Sequence, residues 1–179
     1  MVIKPSCYKL LKVPDFILSD NVLSVTDVTK YLGCLISDNC CDDKDILRAV
    51  RSLYARGNFL ISKFRNCTSD VKSKLFKSYC TSFYGINLWY SYHATVKRKV
   101  NIAYKKIFRA LFNHKRDGTT FNMLTYTINP FSCMERNLVY GFTKRIESCD
   151  NTIVHTITNS VFYRSSKFHD NCMKLLFTP

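Results

Sequence analysis

The sequence lacks any apolar run near the roughly 18 to 20 residues that a bilayer-spanning helix needs, which excludes a membrane span of that kind. It also lacks CxxC, HxxxH and HExxH spacings, although nine cysteines (7, 34, 40, 41, 67, 80, 133, 149 and 172) and His93, His114, His155 and His169 are present. Zinc fingers and zincin-type helices are thereby disfavoured. No GxxxxGK[ST] or GxGxxG loop offers a phosphate cradle. Internal repeats, low-complexity tracts and Gly/Ser linkers are missing too, so 179 residues suit one domain, or one and a fraction, with a real core.

The N-terminus has Lys4, Pro5 and Lys9 where a signal peptide keeps a continuous apolar core. The expectation is an intracellular, soluble protein of nucleus and/or cytoplasm. An odd number of cysteines then reads as free thiols in a reducing compartment rather than a disulfide framework. The sequon Asn66-Cys67-Thr68 becomes a chance match.

What is present in excess is positive charge: Lys plus Arg number 27 against 13 Asp plus Glu, a net +14. Such an excess points to a polyanionic partner, nucleic acid first and an anionic membrane surface second. Much of it is local. Between Asp70 and Asp117 no acid occurs, while Lys72, Lys74, Lys77, Lys97, Arg98, Lys99, Lys105, Lys106, Arg109, Lys115 and Arg116 do. Without negative partners these side chains repel one another unless an anion compensates. In a helix over 95–112, Val96, Val100, Ala103, Ile107 and Leu111 make one face, and Lys97, Arg98, Lys105, Lys106 and Arg109 cluster opposite. Phosphate contact is the favoured use of that face. An anionic lipid surface is the runner-up. The aromatics Tyr84, Trp89, Tyr90, Tyr92 and Tyr104 share the window; they could stack on bases, but core packing suits them better, and Trp89 is not assigned to bases.

The order of elements is β-rich, then helical. Strands are expected at 16–18 and 22–25 about a Ser19-Asp20-Asn21 turn, and another through "KYLGCLIS", where Gly33 permits a bend. Apolar or small residues at Ile46, Val50, Leu53, Gly57, Leu60, Ile61 and Phe64 predict a long helix over 43–64. A second opens at Ser69 as N-cap and runs through Val71, Leu75, Tyr79 and Phe83. After the third helix and a break at "NHKRDGTT", a fourth has Pro130 in its first turn and Leu138, Phe142 and Ile146 on one face. A last helix covers 153–161, and the remainder reads as a trailing segment.

The adjacent Asp42 and Asp43 raise the question of two-metal chemistry, which needs converging carboxylates. Cys40 and Cys41 precede them and a long helix follows. A helix start therefore fits better, with Asp42 as cap and Asp43 and Asp45 in the first turn. Asp15, Asp20, Asp27 and Asp38 sit singly around turns, so nuclease activity is not expected. An active polymerase or nuclease would have to show Mg²⁺-dependent turnover that depends on Asp42 and Asp43.

"VTKYLGCLISDN", "RGNFLISKFRNCTSDVKSKLFKSYCTSFYGINLWY" and "VNIAYKKIFRALFN", in this order, resemble the C-terminal part of reverse transcriptases from non-LTR (LINE-like) retrotransposons. "KRIESCDNTIVHTITNSVFY" is similar to that family's tail. The resemblance covers nearly the whole chain. It implies an α+β fold: a β-rich palm edge over 1–41, a basic helical thumb-like region over 42–115 and a C-terminal helical extension over 116–179. It makes Tyr31, Leu32 and Gly33 the hairpin of the primer grip, which positions the primer's 3′ end. The nucleic-acid-binding set is then Tyr31, Leu32, Gly33, Lys97, Arg98, Lys105, Lys106, Arg109, Lys115 and Arg116.

The family's catalytic aspartates, including the [FY]xDD turn, have no counterpart here. The implied state is a fragment of an RNA-directed DNA polymerase, with Met1 an internal methionine of a longer frame. It would bind an RNA–DNA hybrid or duplex without catalysis, and without the Mg²⁺ that the parent enzyme holds on absent residues. Its missing partner would be the upstream polymerase domain. The alternative is a stand-alone basic helical domain, derived from such an element, that binds nucleic acid or protein.

Overall fold

The computed structural model describes residues 1–3, 14–19 and 21–177. Lys4, Pro5, Cys7, Lys9 and Asp20, on which expectations above rested, lie outside them. The fold is α+β, as expected, with two antiparallel hairpins ahead of a helical body. In the first hairpin β1 (Phe16–Leu18) pairs with β2 (Asn21–Leu23), placing Phe16 opposite Leu23. In the second, β3 (Val28–Tyr31) pairs with β4 (Cys34–Ser37), placing Tyr31 opposite Cys34.

The second hairpin divides the strand read through "KYLGCLIS" and has the hairpin form that the resemblance gives Tyr31-Leu32-Gly33. Only Leu32 and Gly33 separate the paired residues, and both have positive φ, +45° and +84°. That is the pattern of a type I′ turn, whose twist matches the strands it joins. Glycine adopts it freely. Leucine does so at a cost of about 1–2 kcal/mol.

Helix α1 (Asp43–Phe64) occupies the expected span and buries Ile46, Ala49, Leu53, Gly57 and Leu60, spaced by threes and fours. Helix α2 (Ser69–Cys80) begins one position earlier than expected, since Thr68 rather than Ser69 is its extended N-cap. It also ends earlier. Gly85, at φ +83°, turns the chain into a 3-10 turn at Ile86–Leu88, so Phe83 and Ile86 are buried without being part of α2. Helix α3 (Ala94–Phe112) crosses α1 closely at Gly57, where a Cβ would come within 2.5 Å of Ile107.

Phe76 of α2 meets Tyr104, Phe108 and Phe112 of α3 edge to face, with ring centres 5.2, 5.9 and 6.5 Å away. Tyr104 is fully buried and donates its hydroxyl to the Asn129 carbonyl at 3.0 Å. The chain then makes an unforeseen short helix, α4 (Thr119–Thr125), within and beyond the expected break. Asn113 and Gly118, both left-handed, bound that break, and Met123 anchors α4 in the core.

Helix α5 (Phe131–Glu147) has Pro130 as its N-cap rather than inside its first turn. The helix expected over 153–161 stops at Asn159: α6 is Thr152–Asn159, capped by the Asn151 side chain. Ser160 is extended and starts α7 (Val161–Arg164). The supposed trailing segment forms α8 (Lys167–Phe177), which packs against α5 and buries Cys172. No helix among the described residues is long and apolar enough to cross a membrane.

The α1–α3 crossing generates a prediction. Gly57→Ala should destabilise by about 1–2 kcal/mol, because overpacking against Ile107 outweighs the roughly 1 kcal/mol gained in helix propensity. In an Ile107→Ala background the same change should become stabilising. Urea unfolding of the four proteins of this double-mutant cycle measures the sign change.

Candidate functional site

The start of α1 is built around three carboxylates that reach away from their own helix. Asp45 is buried. Its Oδ1 accepts from the Leu35 backbone N–H at 2.8 Å and from Arg48 Nε at 2.7 Å, and its Oδ2 accepts from Trp89 Nε1 at 2.9 Å. Burial alone would raise its pKa. The Arg48, Leu35 and Trp89 donors outweigh that and hold it below the ordinary carboxylate value. One side chain thus ties β4, α1 and the segment before α3 together.

Asp42 is the N-cap by position but makes no side-chain bond to its own helix. Its Oδ2 accepts the Tyr90 and Ser91 backbone N–H groups, both at 2.8 Å. Burial pushes its pKa up, with Asp45 and Asp43 adding repulsion against the backbone donors. Asp43 accepts the His93 backbone N–H at 2.9 Å, and its second oxygen lies 2.5 Å from His93 Nδ1. The expected cap is therefore a junction between α1 and the chain entering α3.

Beside this junction lies a mostly apolar cavity of about 330 Å³, whose walls include Tyr31, Leu32, Cys34, Asp45, Tyr84 and Trp89. Gly85 is required there, since a Cβ would meet Cys34 Sγ at 2.7 Å. Tyr31, Leu32 and Tyr84 are exposed at its rim. Leu32 is 72% exposed despite its left-handed backbone, so no packing compensates its strain. Trp89 is buried on Asp45, in keeping with its assignment to the core.

The basic residues of α3 divide into sets. Arg98, Ile102, Lys105 and Arg109 recur at helical spacing along one stripe. Ile102, Lys105 and Arg109 join Arg116 and residues Gly118 to Phe121 in walling an open groove of about 520 Å³. Arg109 Nη1 lies 3.5 Å from Thr119 Oγ1, and that hydroxyl donates to the Arg116 carbonyl at 2.7 Å. Lys106 sits round the helix, its Nζ 5.9 Å from the centre of the Tyr54 ring on α1. Arg98 and Lys115 are exposed outside the groove walls, and Tyr31, Leu32 and Gly33 belong to the other end of the junction.

Lys97 leaves the basic face altogether. Its Nζ pairs with buried Glu135 of α5 at 2.8 Å and receives support from the Tyr92 hydroxyl, also at 2.8 Å. Burial alone would lower its pKa, yet the Glu135 carboxylate and Tyr92 raise it above the ordinary lysine value. The α4 wall of the groove was missed in the sequence: Asp117-Gly118-Thr119-Thr120 marked a helix entry read only as a break.

Comparison of the chain with models of known families, with curated proteins and with solved structures finds no match.

Two predictions follow from the junction. Asp45→Asn loses the Arg48 ion pair and places an amide N–H₂ against a donor, so it should cost about 3 kcal/mol at pH 7. Because the folded pKa of Asp45 lies below the ordinary 3.8, that difference should persist above pH 4 and shrink as pH falls through the folded value. Asp42→Asn keeps one oxygen for both N–H groups and removes a buried charge, so its stability at pH 7 should equal or exceed the wild type's. Since the folded pKa of Asp42 is raised, any such advantage should close as acid protonates the wild-type carboxyl. Urea unfolding across pH measures both. Separately, Leu32→Asn creates the preferred Asn-Gly turn and should stabilise by about 1 kcal/mol in the same assay.

Proposed function

We propose that this chain binds a nucleic-acid duplex or RNA–DNA hybrid through its sugar-phosphate backbone, as the palm-edge and thumb part of a retrotransposon-type reverse transcriptase. The observation that carries the reading is the groove between α3 and α4. Lys105, Arg109 and Arg116 line it, Arg98 extends the stripe, and none of these forms an ion pair among the described residues. Uncompensated cations along a helix are stabilised by phosphates, which release condensed counterions on contact.

The hairpin supports the same reading. A strained, solvent-exposed leucine at the tip of a two-residue turn has no folding advantage, and such strain persists where a surface must present a fixed shape. In the resemblance drawn from Tyr31-Leu32-Gly33 that shape would position a primer end. The chain's own contribution is binding and orientation. Asp42 and Asp43 accept hydrogen bonds from backbone N–H groups, so as a pair they do not suit the two Mg²⁺ ions of polymerase chemistry. No catalytic step is assigned to them.

Fluorescence anisotropy with hybrid, duplex and single-stranded probes over a salt series tests the proposal. Combined Lys105→Ala, Arg109→Ala and Arg116→Ala should weaken binding similarly across sequences. The slope of log K against log salt should flatten by about two to three units. Lys97→Ala should leave the slope unchanged while lowering stability, because its charge faces Glu135. An unchanged slope in the triple variant would overturn the assignment.

A further inference from the structure

We infer that Cys41, Asp43 and His93 form a binding site for a zinc-type transition-metal dication. The Cys41 Sγ, one Asp43 carboxylate oxygen and one ring nitrogen of His93 all lie within 4.8 Å of one another. Thiolate, imidazole and carboxylate together are the donor set of borderline-soft Zn²⁺ and its substitute Co²⁺, whereas Mg²⁺ and Ca²⁺ select oxygen alone. No local metal motif marks the site, because its donors come from two places in the chain. Cys41 and Asp43 flank the N-cap of α1, and His93 is the residue before α3.

The supporting contacts leave the right atoms available. Asp43 Oδ1 is held by the His93 backbone N–H at 2.9 Å, so Oδ2 is the oxygen turned toward the imidazole. The Cys41 backbone N–H donates to Asn39 Oδ1 at 3.0 Å, fixing the turn that carries the thiol. Donors around a tetrahedral zinc stand about 3.3–3.6 Å apart, given metal–ligand bonds of about 2.0–2.3 Å. The 2.5 Å contact between His93 and Asp43 must therefore open by about 1 Å. The His93 side chain is 76% exposed and has room to swing.

The electrostatics favour a cation despite the positive end of the α1 dipole. Asp42 and Asp45 stand on either side of Asp43, and only Asp45 has a guanidinium partner. Three protein donors leave a fourth position for water or an outside ligand. The bound ion would join the start of α1 to the start of α3, the two helices whose crossing forms the core. This site stands independently of the nucleic-acid reading, since it shares no residue with the groove.

The test is a Co²⁺ titration of the full chain after chelator treatment, followed by displacement with Zn²⁺. The wild type should show a thiolate-to-cobalt charge-transfer band and tetrahedral visible bands at one ion per chain. Cys41→Ser should abolish the charge-transfer band, and His93→Ala should weaken binding by more than about tenfold. Cys133→Ser, which alters an exposed cysteine elsewhere, should leave the spectrum unchanged. Zn²⁺ should also raise the unfolding midpoint of the wild type but of neither site variant. A wild type without tetrahedral bands, or bands retained at full affinity in either Cys41→Ser or His93→Ala, would overturn the site.

Discussion

The buried carboxylate of Asp45 receives three donors from three parts of the chain: a strand amide, a guanidinium one helical turn away and the indole of Trp89. Each donor would be expensive to bury without an acceptor, and the carboxylate would be expensive to bury without them. The satisfied set therefore fixes where the second hairpin sits on α1 and where Trp89 enters the core. The position of the Leu32-Gly33 turn follows from it, because β3 is paired along its length with β4. Gly85 follows as well, since the chain beside Trp89 runs too close to Cys34 for a side chain.

Asp42 and Asp43 extend the same logic to α3. By accepting the amides of Tyr90, Ser91 and His93 they set the point from which α3 departs, and Gly57 lets that helix approach α1 at Ile107. With α3 anchored at its start and middle, its outward stripe has a defined direction. The acids near this end of the chain are largely engaged internally, and Glu135 is neutralised by Lys97. Charge on the groove side of α3 is consequently less compensated than the 27 to 13 ratio of basic to acidic residues implies. In the proposed reading a phosphate backbone would offset that imbalance without needing base-specific contacts.

Periodicity made α1 and α3 legible, because their buried residues recur every three or four positions and the pattern is local. The order of strands and then helices was legible for the same reason. The junction was not. Asp45 and Trp89, Asp42 and Tyr90, or Lys97 and Glu135 are far apart in sequence, and a pairing of two distant polar residues leaves no periodic trace. Asp42 read as a cap, with Asp43 and Asp45 in the first turn, because that is the local use of an acid at a helix start; the positions hold, but tertiary donors take the carboxylates of Asp42 and Asp43. Lys97 was read onto the basic face by its charge, although it lies seven and eleven positions before buried Tyr104 and Phe108 and so shares their side of α3. Helix α4 and the Cys41, Asp43 and His93 cluster were invisible on the same ground, the first being too short for a period and the second assembled from two helix starts.

The two hairpins show what a single tertiary anchor does. Both are short two-stranded ribbons, a form with marginal stability by itself. The second is bonded through Leu35 to Asp45, and Ser37 at its end is buried. The first presents Phe16, Ile17, Leu18, Val22 and Leu23 to solvent, so apolar side chains emerge on both of its faces. A ribbon of that composition gains by being covered, since exposed apolar strands with open edges invite pairing. In the proposed reading the cover would be the rest of a palm sheet. In that reading the first hairpin would be the side left to join it, because the second is already committed to α1 by a buried charge that cannot be released without depriving Arg48 and Trp89 of their acceptor.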